Sequence, residues 1–146
     1  MLFIFFFEQT DVDRVLAGEP WSFDKYLVAL KRIGRQTEMK GLVFDSVFFW
    51  IQVHDLPIGS LKSRVAQDIV LVTGEVVNSR AAEEDYEGSH FMQVRVRIDI
   101  TKPLCRGRKI GLSDGKEGWV NFKYECLPNL CYWCGRLTHH DKECSV

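Results

Sequence analysis

The sequence has no long hydrophobic run. Its longest apolar stretch, residues 1–7 (MLFIFFF), is much shorter than the roughly 20 residues that a transmembrane helix needs. It also lacks the basic flank of a secretory signal peptide, and acidic residues follow it. We therefore expect no membrane interaction, and we interpret Leu2–Phe7 as a buried strand.

The sequence also has little excess charge and lacks the short motifs of nucleotide-dependent enzymes. Its 146 residues carry a net charge of −1, which argues against a simple polycationic coat for nucleic acid. Apolar residues make up 46% and charged residues 27%, a globular composition. There is no phosphate-binding loop or dinucleotide fingerprint. His54 and Asp55, with Cys105 or Cys126, have no spacing typical of a catalytic triad. We expect a protein that is not an enzyme and has no small-molecule substrate.

Cysteine is scarce, yet three of the five cysteines lie in the last sixteen residues, CYWCGRLTHHDKECSV. Cys131 and Cys134 are separated by two residues, His139 follows after four more, and Cys144 after another four. Three thiolates and one imidazole complete a closed tetrahedral shell for Zn²⁺. The spacing is typical of a Cys-Cys-His-Cys (CCHC) zinc knuckle, and it predicts one structural zinc ion.

Two alternatives bear on this site. A Cys-x-x-Cys pair can be a redox motif, but that motif normally lies in a strand–helix–strand pattern and needs neither the histidine nor the third cysteine. His140 is adjacent to His139, and the common spacing favours His139 as the ligand. The other two cysteines, Cys105 and Cys126, are expected to be free thiols, which indicates an intracellular protein.

Aromatic and basic residues accompany the predicted ligands. Tyr132 and Trp133 lie between the first two cysteines, where so small a unit cannot bury them, and exposed rings are suited to stacking on unpaired bases. Arg136 and Lys142, with His140 as a further candidate, are predicted to contact phosphate.

Apolar periodicity predicts an α+β fold with a mainly antiparallel sheet and few short helices. One helix is expected after Thr10, ending at Gly18, and a second after Ser60 as its cap, ending at Gly74. Strands are expected at residues 26–31, 47–53, 74–79, 92–100, 109–112 and 119–125, and the alternation is clearest from Met92 to Ile100. These elements favour an open sheet with helices on one face.

A basic stripe precedes the predicted knuckle. Residues 94–124 contain 8 Lys and Arg against 3 Asp and Glu, whereas residues 1–93 contain 9 against 14. With the apolar side chains facing the helices, the other face of the sheet would display rings among cations, as on a single-strand RNA platform. The alternatives are a solvated strand and tryptophans packed on neighbouring strands. The predicted nucleic-acid contacts are Arg95, Arg97, Arg106, Arg108, Lys109, Trp119 and Lys123, with Trp50 and Phe91 on the same face.

The strings PWSFDKYLVALKR, FFWIQVHDLP, VRVRIDITKPLCRG and FKYECLPNLCYWCG occur in this order. Together they resemble a plant retroelement-derived domain of unknown function followed by a CCHC zinc knuckle, similar to the nucleic-acid-binding first protein of LINE-type retrotransposons. The resemblance implies zinc binding, nucleic-acid binding and a sheet related to the RNA recognition motif. This sequence departs from the family at Asp55, Cys126 and Thr138.

The resemblance also implies an organisation. The expected units are a partial strand–helix–strand unit at 1–33, an α+β domain at 42–126 and the knuckle at 129–146. Because the family domain usually begins with a further strand–helix–strand section, we expect either a copy truncated at its N-terminus or a fragmentary gene model.

We therefore predict a zinc-dependent binder of single-stranded nucleic acid, with RNA as the first candidate ligand and DNA as the alternative. The alternative is a protein-interaction or oligomerisation module of a retroelement ribonucleoprotein. The expected location is the nucleus or the cytoplasm, and the resemblance favours the nucleus.

Overall fold

The computed structural model describes residues 8–38, 40–84, 88, 90–137 and 139–145. The strand predicted over Leu2–Phe7 and the family departure at Thr138 lie outside these residues. In the described part of the chain, no helix has the length and apolar character needed to cross a membrane.

The fold is α+β, with two helices, a small hairpin and a five-stranded sheet in the described residues. The helices are α1 (Gln9–Ala17) and α2 (Ser63–Val70), and short 3₁₀ helices lie at Ile58–Ser60 and Asp141–Glu143. The hairpin consists of β1 (Trp21–Phe23) and β2 (Tyr26–Val28). The sheet has the order β4-β5-β3-β7-β6, and all its pairings are antiparallel. Its strands are β3 (Ser46–His54), β4 (Glu75–Glu84), β5 (His90–Asp99), β6 (Gly107–Gly111) and β7 (Glu117–Tyr124).

The core lies between the sheet and α2. Alternate residues of the central strands β3 and β5 point to this side, which we call the α2 face, and their register pairs Phe49 with Val96. Helix α2 buries Ala66, Ile69 and Val70, the apolar stripe that helical periodicity predicts. Burying each large aliphatic or aromatic side chain stabilises the fold by about 1.5–3 kcal/mol. The apolar alternation around Met92–Ile100 thus corresponds to the buried side chains of β5, which pairs with both β3 and β4.

The opposite face, which we call the α1 face, is not open as the sequence predicted. Arg95 is only 7% exposed, and its guanidinium donates hydrogen bonds to the carbonyl oxygens of Glu19, at 2.5 Å, and Ala17, at 3.0 Å. The last carbonyls of a helix lack partners within it, so a cation at this end is stabilising. The expectation that helices cover only one face is thus wrong, because the end of α1 packs on the other.

The carboxylate of Glu19 provides a second contact between the end of α1 and the sheet. Glu19 is buried, and it accepts a hydrogen bond from the backbone N–H of Phe48 in β3 at 3.2 Å. Burial raises the pKa of Glu19, while that hydrogen bond and Arg95 act in the opposite direction. Burial also lowers the pKa of Arg95, and the charge of Glu19 opposes this shift. The two side chains therefore join α1 to the sheet.

Several predicted boundaries shift. The strand predicted at 26–31 spans only Tyr26–Val28 and pairs with residues 21–23. Asp24 and Lys25 between them have positive φ, +48° and +69°, as in the type I′ turns that suit two-residue hairpins. The helix predicted from Ser60 begins at Ser63 and ends at Val70, and the strand predicted at 74–79 extends to Glu84.

Candidate metal centre and nucleic-acid interface

The four predicted ligands lie together. One ligand atom from each of Cys131, Cys134, His139 and Cys144 falls within 4.8 Å of all the others. The Cys134 Sγ lies 3.4 Å from the His139 Nε2. Cys131 is fully buried and the other three are half-buried. This donor set fits Zn²⁺ with all four positions taken by protein, so the ion holds the chain and has no position for a substrate.

The backbone between the first two ligands forms a closed turn. The Gly135 N–H donates to the Cys131 carbonyl oxygen at 2.7 Å, and the Cys131 N–H donates to the Arg136 carbonyl oxygen at 2.9 Å. Gly135 has φ of +76°, and a Cβ there would lie 3.3 Å from the Pro103 Cβ. Both the backbone angle and the close approach favour glycine at this position.

The knuckle segment packs directly on the sheet domain. The Leu104 N–H, in the loop before β6, donates to the Gly135 carbonyl oxygen at 2.8 Å. Leu104 and Leu137 are both buried in the main hydrophobic core, and Leu127 and Leu130 pack against it. The ligand-bearing segment is therefore stabilised by the core of the sheet as well as by its ion.

His140 is held by other contacts. Its ring lies edge-on to Tyr26 of β2, with centroids 5.8 Å apart. The Asn129 side-chain nitrogen lies 2.7 Å from the His140 Nε2. His140 is thus engaged with the hairpin while His139 lies in the ligand cluster, in agreement with the preference drawn from spacing.

The thiols have unequal electrostatic surroundings. Burial raises the pKa of Cys131 to about 11. Burial acts in the same direction at Cys134, but the backbone N–H of Arg136 and hydrogen bonds with neighbouring thiols outweigh it, so the Cys134 pKa is lowered. Zn²⁺ binds thiolates, and its binding therefore displaces protons here.

The two predicted stacking rings are exposed beside the metal cluster. Tyr132 is 70% and Trp133 is 79% exposed. The Tyr132 N–H donates to the Asp141 carboxylate at 2.6 Å. The Arg106 guanidinium carbon lies 5.6 Å from the centroid of the Tyr132 ring. The turn that carries the metal ligands therefore presents the Tyr132 ring in contact with the Arg106 cation.

The other predicted contacts do not share one surface. Arg108 points to the α2 face, with its guanidinium 3.4 Å from the Ile69 carbonyl oxygen. Lys109 lies opposite Trp119 in the β6–β7 register and Lys123 lies opposite Gln52, which places them on the α1 face. Apart from Arg95, the remaining predicted cations are exposed: Arg97, Arg106, Arg136 and Lys142.

Arg95 has a different position from the one predicted. Its guanidinium is buried against the end of α1, so its exposure on a binding platform is a wrong prediction. Trp119, by contrast, is 52% exposed and donates its indole N–H to the Asn121 side chain at 2.8 Å.

Two features of the interface were missed by sequence reasoning. Arg80 of β4 lies over the ring of Trp50, 4.0 Å from its centroid, although nothing in the local sequence links them. The hairpin also exposes Phe23 and Tyr26. The alternation of aromatic residues around Asp24-Lys25 was a usable signal for this second feature.

Comparisons with known proteins agree with the geometry. A family model described as zinc knuckle matches residues 98–146, a span that begins near the end of β5. An Arabidopsis thaliana protein described as uncharacterized, At4g02000, is 25% identical over 134 residues, which cover 92% of this chain and 42% of that protein. The chain therefore spans less than half the length of this curated relative. No solved structure matches. The C-terminal region is a CCHC-type zinc knuckle, and its cofactor is a single structural zinc ion.

Proposed function

We propose that this protein is a zinc-dependent, non-enzymatic binder of single-stranded nucleic acid, with RNA as the first candidate ligand and DNA as the alternative. The observation that carries the proposal is the pair of exposed rings, Tyr132 and Trp133, on a turn closed by four metal ligands. Zinc fixes the backbone that carries the rings, so less conformational freedom is lost when a base stacks on them.

The energetic contributions differ in kind. Each stacked base contributes about 1–3 kcal/mol, and this stacking tolerates any base because all have a π-face. Arg106, which lies over the Tyr132 ring, and the exposed Arg136 and Lys142 of the knuckle segment supply phosphate contacts that release counterions, so affinity falls as salt rises. Arg97, Arg108, Lys109 and Lys123, with Trp119, belong to the same proposal as more distant contacts.

We also propose that the sheet is related to the RNA recognition motif. The series β3, α2, β4, β5 and β7 supports this, because it gives four antiparallel strands with β3 and β5 at the centre. In chain order, strand β6 lies between β5 and β7, where the RNA recognition motif has its second helix. The end of α1 restricts the usable surface on the α1 face. There Trp50 is half-buried with Arg80 over its ring, whereas Lys123 is exposed.

A retroelement origin is part of this proposal. It rests on the ordered motifs from PWSFDKYLVALKR to FKYECLPNLCYWCG, and the nucleus is the location that such an origin favours. The activity of any longer protein that shares this region is likewise a proposal.

The competing function is protein interaction or self-association. Among the described residues, β4 and β6 are the edge strands of the sheet, and Val77 on β4 is 57% exposed. Exposed edges can pair with a strand of a partner. This function predicts assembly that depends on protein concentration and survives loss of Tyr132 and Trp133.

The two functions are separated by one set of variants. Binding of fluorescently labelled single-stranded RNA and DNA is measured by anisotropy for the zinc-loaded protein and for Tyr132→Ala/Trp133→Ala. We expect the double variant to keep its zinc and to bind RNA at least about tenfold more weakly, from the loss of one or more stacked bases. Unchanged RNA affinity in the double variant would refute the proposed function.

A further inference from the structure

The β1–β2 hairpin has an apolar inner face and an aromatic outer face. Leu27 packs against the main hydrophobic core. Phe23 and Tyr26 are direct partners across the hairpin, so their side chains lie on the same side, which is the side opposite Leu27. Phe23 is 80% and Tyr26 is 48% exposed. Because Leu27 packs on the core and Phe23 is largely exposed, the Phe23 ring is free to contact a ligand.

The base of the hairpin is fixed on α1. The indole N–H of Trp21 donates to the Val15 carbonyl oxygen at 2.8 Å. A Cβ at Gly18 would lie 2.8 Å from a carbon of the Trp21 ring, so the ring packs closely on the end of the helix. The rings of Phe23 and Tyr26 are therefore presented from a preorganised support, which lowers the cost of binding to them.

The tip of the hairpin is fixed on the knuckle. The Asn129 N–H donates to the Lys25 carbonyl oxygen at 3.0 Å, and the Tyr26 ring contacts the ring of His140. His140 lies between the metal ligand His139 and Asp141, and Asp141 accepts the N–H of Tyr132. Tyr26 and the backbone of Tyr132 thus contact neighbouring residues of one short segment, His140 and Asp141, and Phe23 is the cross-strand partner of Tyr26.

From these contacts we propose that Phe23 and Tyr26 form a second stacking site for unpaired bases, continuous with the knuckle rings. The inference rests on the proposed function and extends it: a single strand held at Tyr132 and Trp133 continues across His140 onto the hairpin. Its ligand is an unpaired stretch of nucleic acid, because bases in a duplex are stacked on each other and their faces are not accessible.

Charge at the hairpin separates this site from the basic residues. The tip carries Asp24 and Lys25, both exposed, and their formal charges cancel. The hairpin therefore contributes ring stacking without a net phosphate attraction, whereas the exposed Arg136 and Lys142 of the knuckle provide the salt-sensitive part. The two contributions differ in their response to ionic strength.

The test uses the zinc-loaded full chain and single-stranded RNAs of about four and about twelve nucleotides, a range that spans typical site sizes. We expect Phe23→Ala to weaken binding of the longer RNA by about fivefold or more, to leave the shorter RNA unaffected, and to leave the slope of affinity against salt unchanged. Phe23→Trp keeps an aromatic ring at this position, so we expect it to bind the longer RNA as the natural protein does. The matched control is Val72→Ala, which removes a 55% exposed apolar side chain from the loop after α2.

Each outcome decides the proposal. If Phe23→Ala binds the longer RNA as the natural protein does, while Tyr132→Ala/Trp133→Ala does not, the hairpin site is refuted and the proposed function stands. If the zinc-loaded natural protein binds no single strand, both fall. If Phe23→Ala alters only the sedimentation behaviour, the rings contact protein, and the stacking site is again refuted.

Discussion

The sheet and the knuckle reach their structures by different means. The sheet buries complete apolar side chains, and residues such as Phe49, Ile51 and Val94 have no exposed surface. The knuckle has a cluster of metal ligands in place of a core of its own, and it adds Leu137 to the core of the sheet. Zinc therefore defines the local turn, whereas the sheet provides the surface on which that turn is positioned.

Removal of a zinc ligand should have the largest effect, and it should affect the knuckle and leave the sheet in place. Cys144→Ser deletes one of four zinc donors, so we expect zinc affinity to fall by several orders of magnitude, given the roughly 10–16 kcal/mol that structural zinc supplies in such units. RNA binding should be lost with it, while far-ultraviolet circular dichroism retains the signal of the sheet. Cys126→Ser, which changes an exposed cysteine outside the cluster, is the matched control and should bind zinc normally. Loss of the sheet signal in Cys144→Ser would show that the sheet also requires the ion.

The reciprocal change weakens the core. Phe49→Ala should lower the free energy of unfolding by about 3–5 kcal/mol, through lost burial and a residual cavity, as measured by urea denaturation. Because Leu104 and Leu137 belong to the same core, zinc affinity should fall as well. A variant with lowered stability and unchanged zinc affinity would mean that the knuckle folds independently of the sheet.

Acidity should act on the knuckle in preference to the sheet. The pKa of Cys131 is raised to about 11 by burial, so its thiol is protonated at neutral pH and zinc binding must displace that proton. Zinc affinity should therefore rise with pH below that value and fall about tenfold for each pH unit of acidification per proton displaced. Competition with a chelator at several pH values, from about 6 to about 8, measures how zinc affinity changes with pH. A flat profile would contradict three-thiolate ligation.

The smallest expected effect concerns the contact between knuckle and hairpin. His140→Ala removes the contacts with Tyr26 and Asn129, and should cost about 1 kcal/mol of stability, as for a typical hydrogen bond. Zinc binding should persist, whereas His139→Ala should abolish it. Circular dichroism melting and zinc titration of both variants compare them, and loss of zinc from His140→Ala alone would reverse the ligand assignment.

Sequence reasoning was strongest where the signal is local. Alternation located β5 from Met92 onward, and the spacing of Cys131, Cys134, His139 and Cys144 predicted the ligand cluster. Both depend on residues close together in the chain, so periodicity or turn geometry suffices. The preference for His139 over His140 also held, although the reason that His140 is engaged elsewhere became evident only from its contact with Tyr26.

The failures concern contacts between distant segments. Arg95 was predicted to lie on an open platform because alternation places it opposite the core, but its partners are the carbonyl groups of residues 16–19. No pattern in the sequence around Arg95 indicates that the end of α1, which comes much earlier in the chain, will cover this side chain. The cation over Trp50 likewise comes from Arg80 on β4, through the pairing of β4 with β5 and of β5 with β3.

The central claim is that zinc organises Tyr132 and Trp133 for binding unpaired bases. The most direct measurement is a zinc titration of the metal-free protein in the presence of labelled single-stranded RNA, followed by anisotropy at low and high salt. We expect RNA binding to appear with zinc, to saturate at one ion per chain and to weaken as salt rises. RNA binding that is equal in the metal-free and zinc-loaded protein would contradict it.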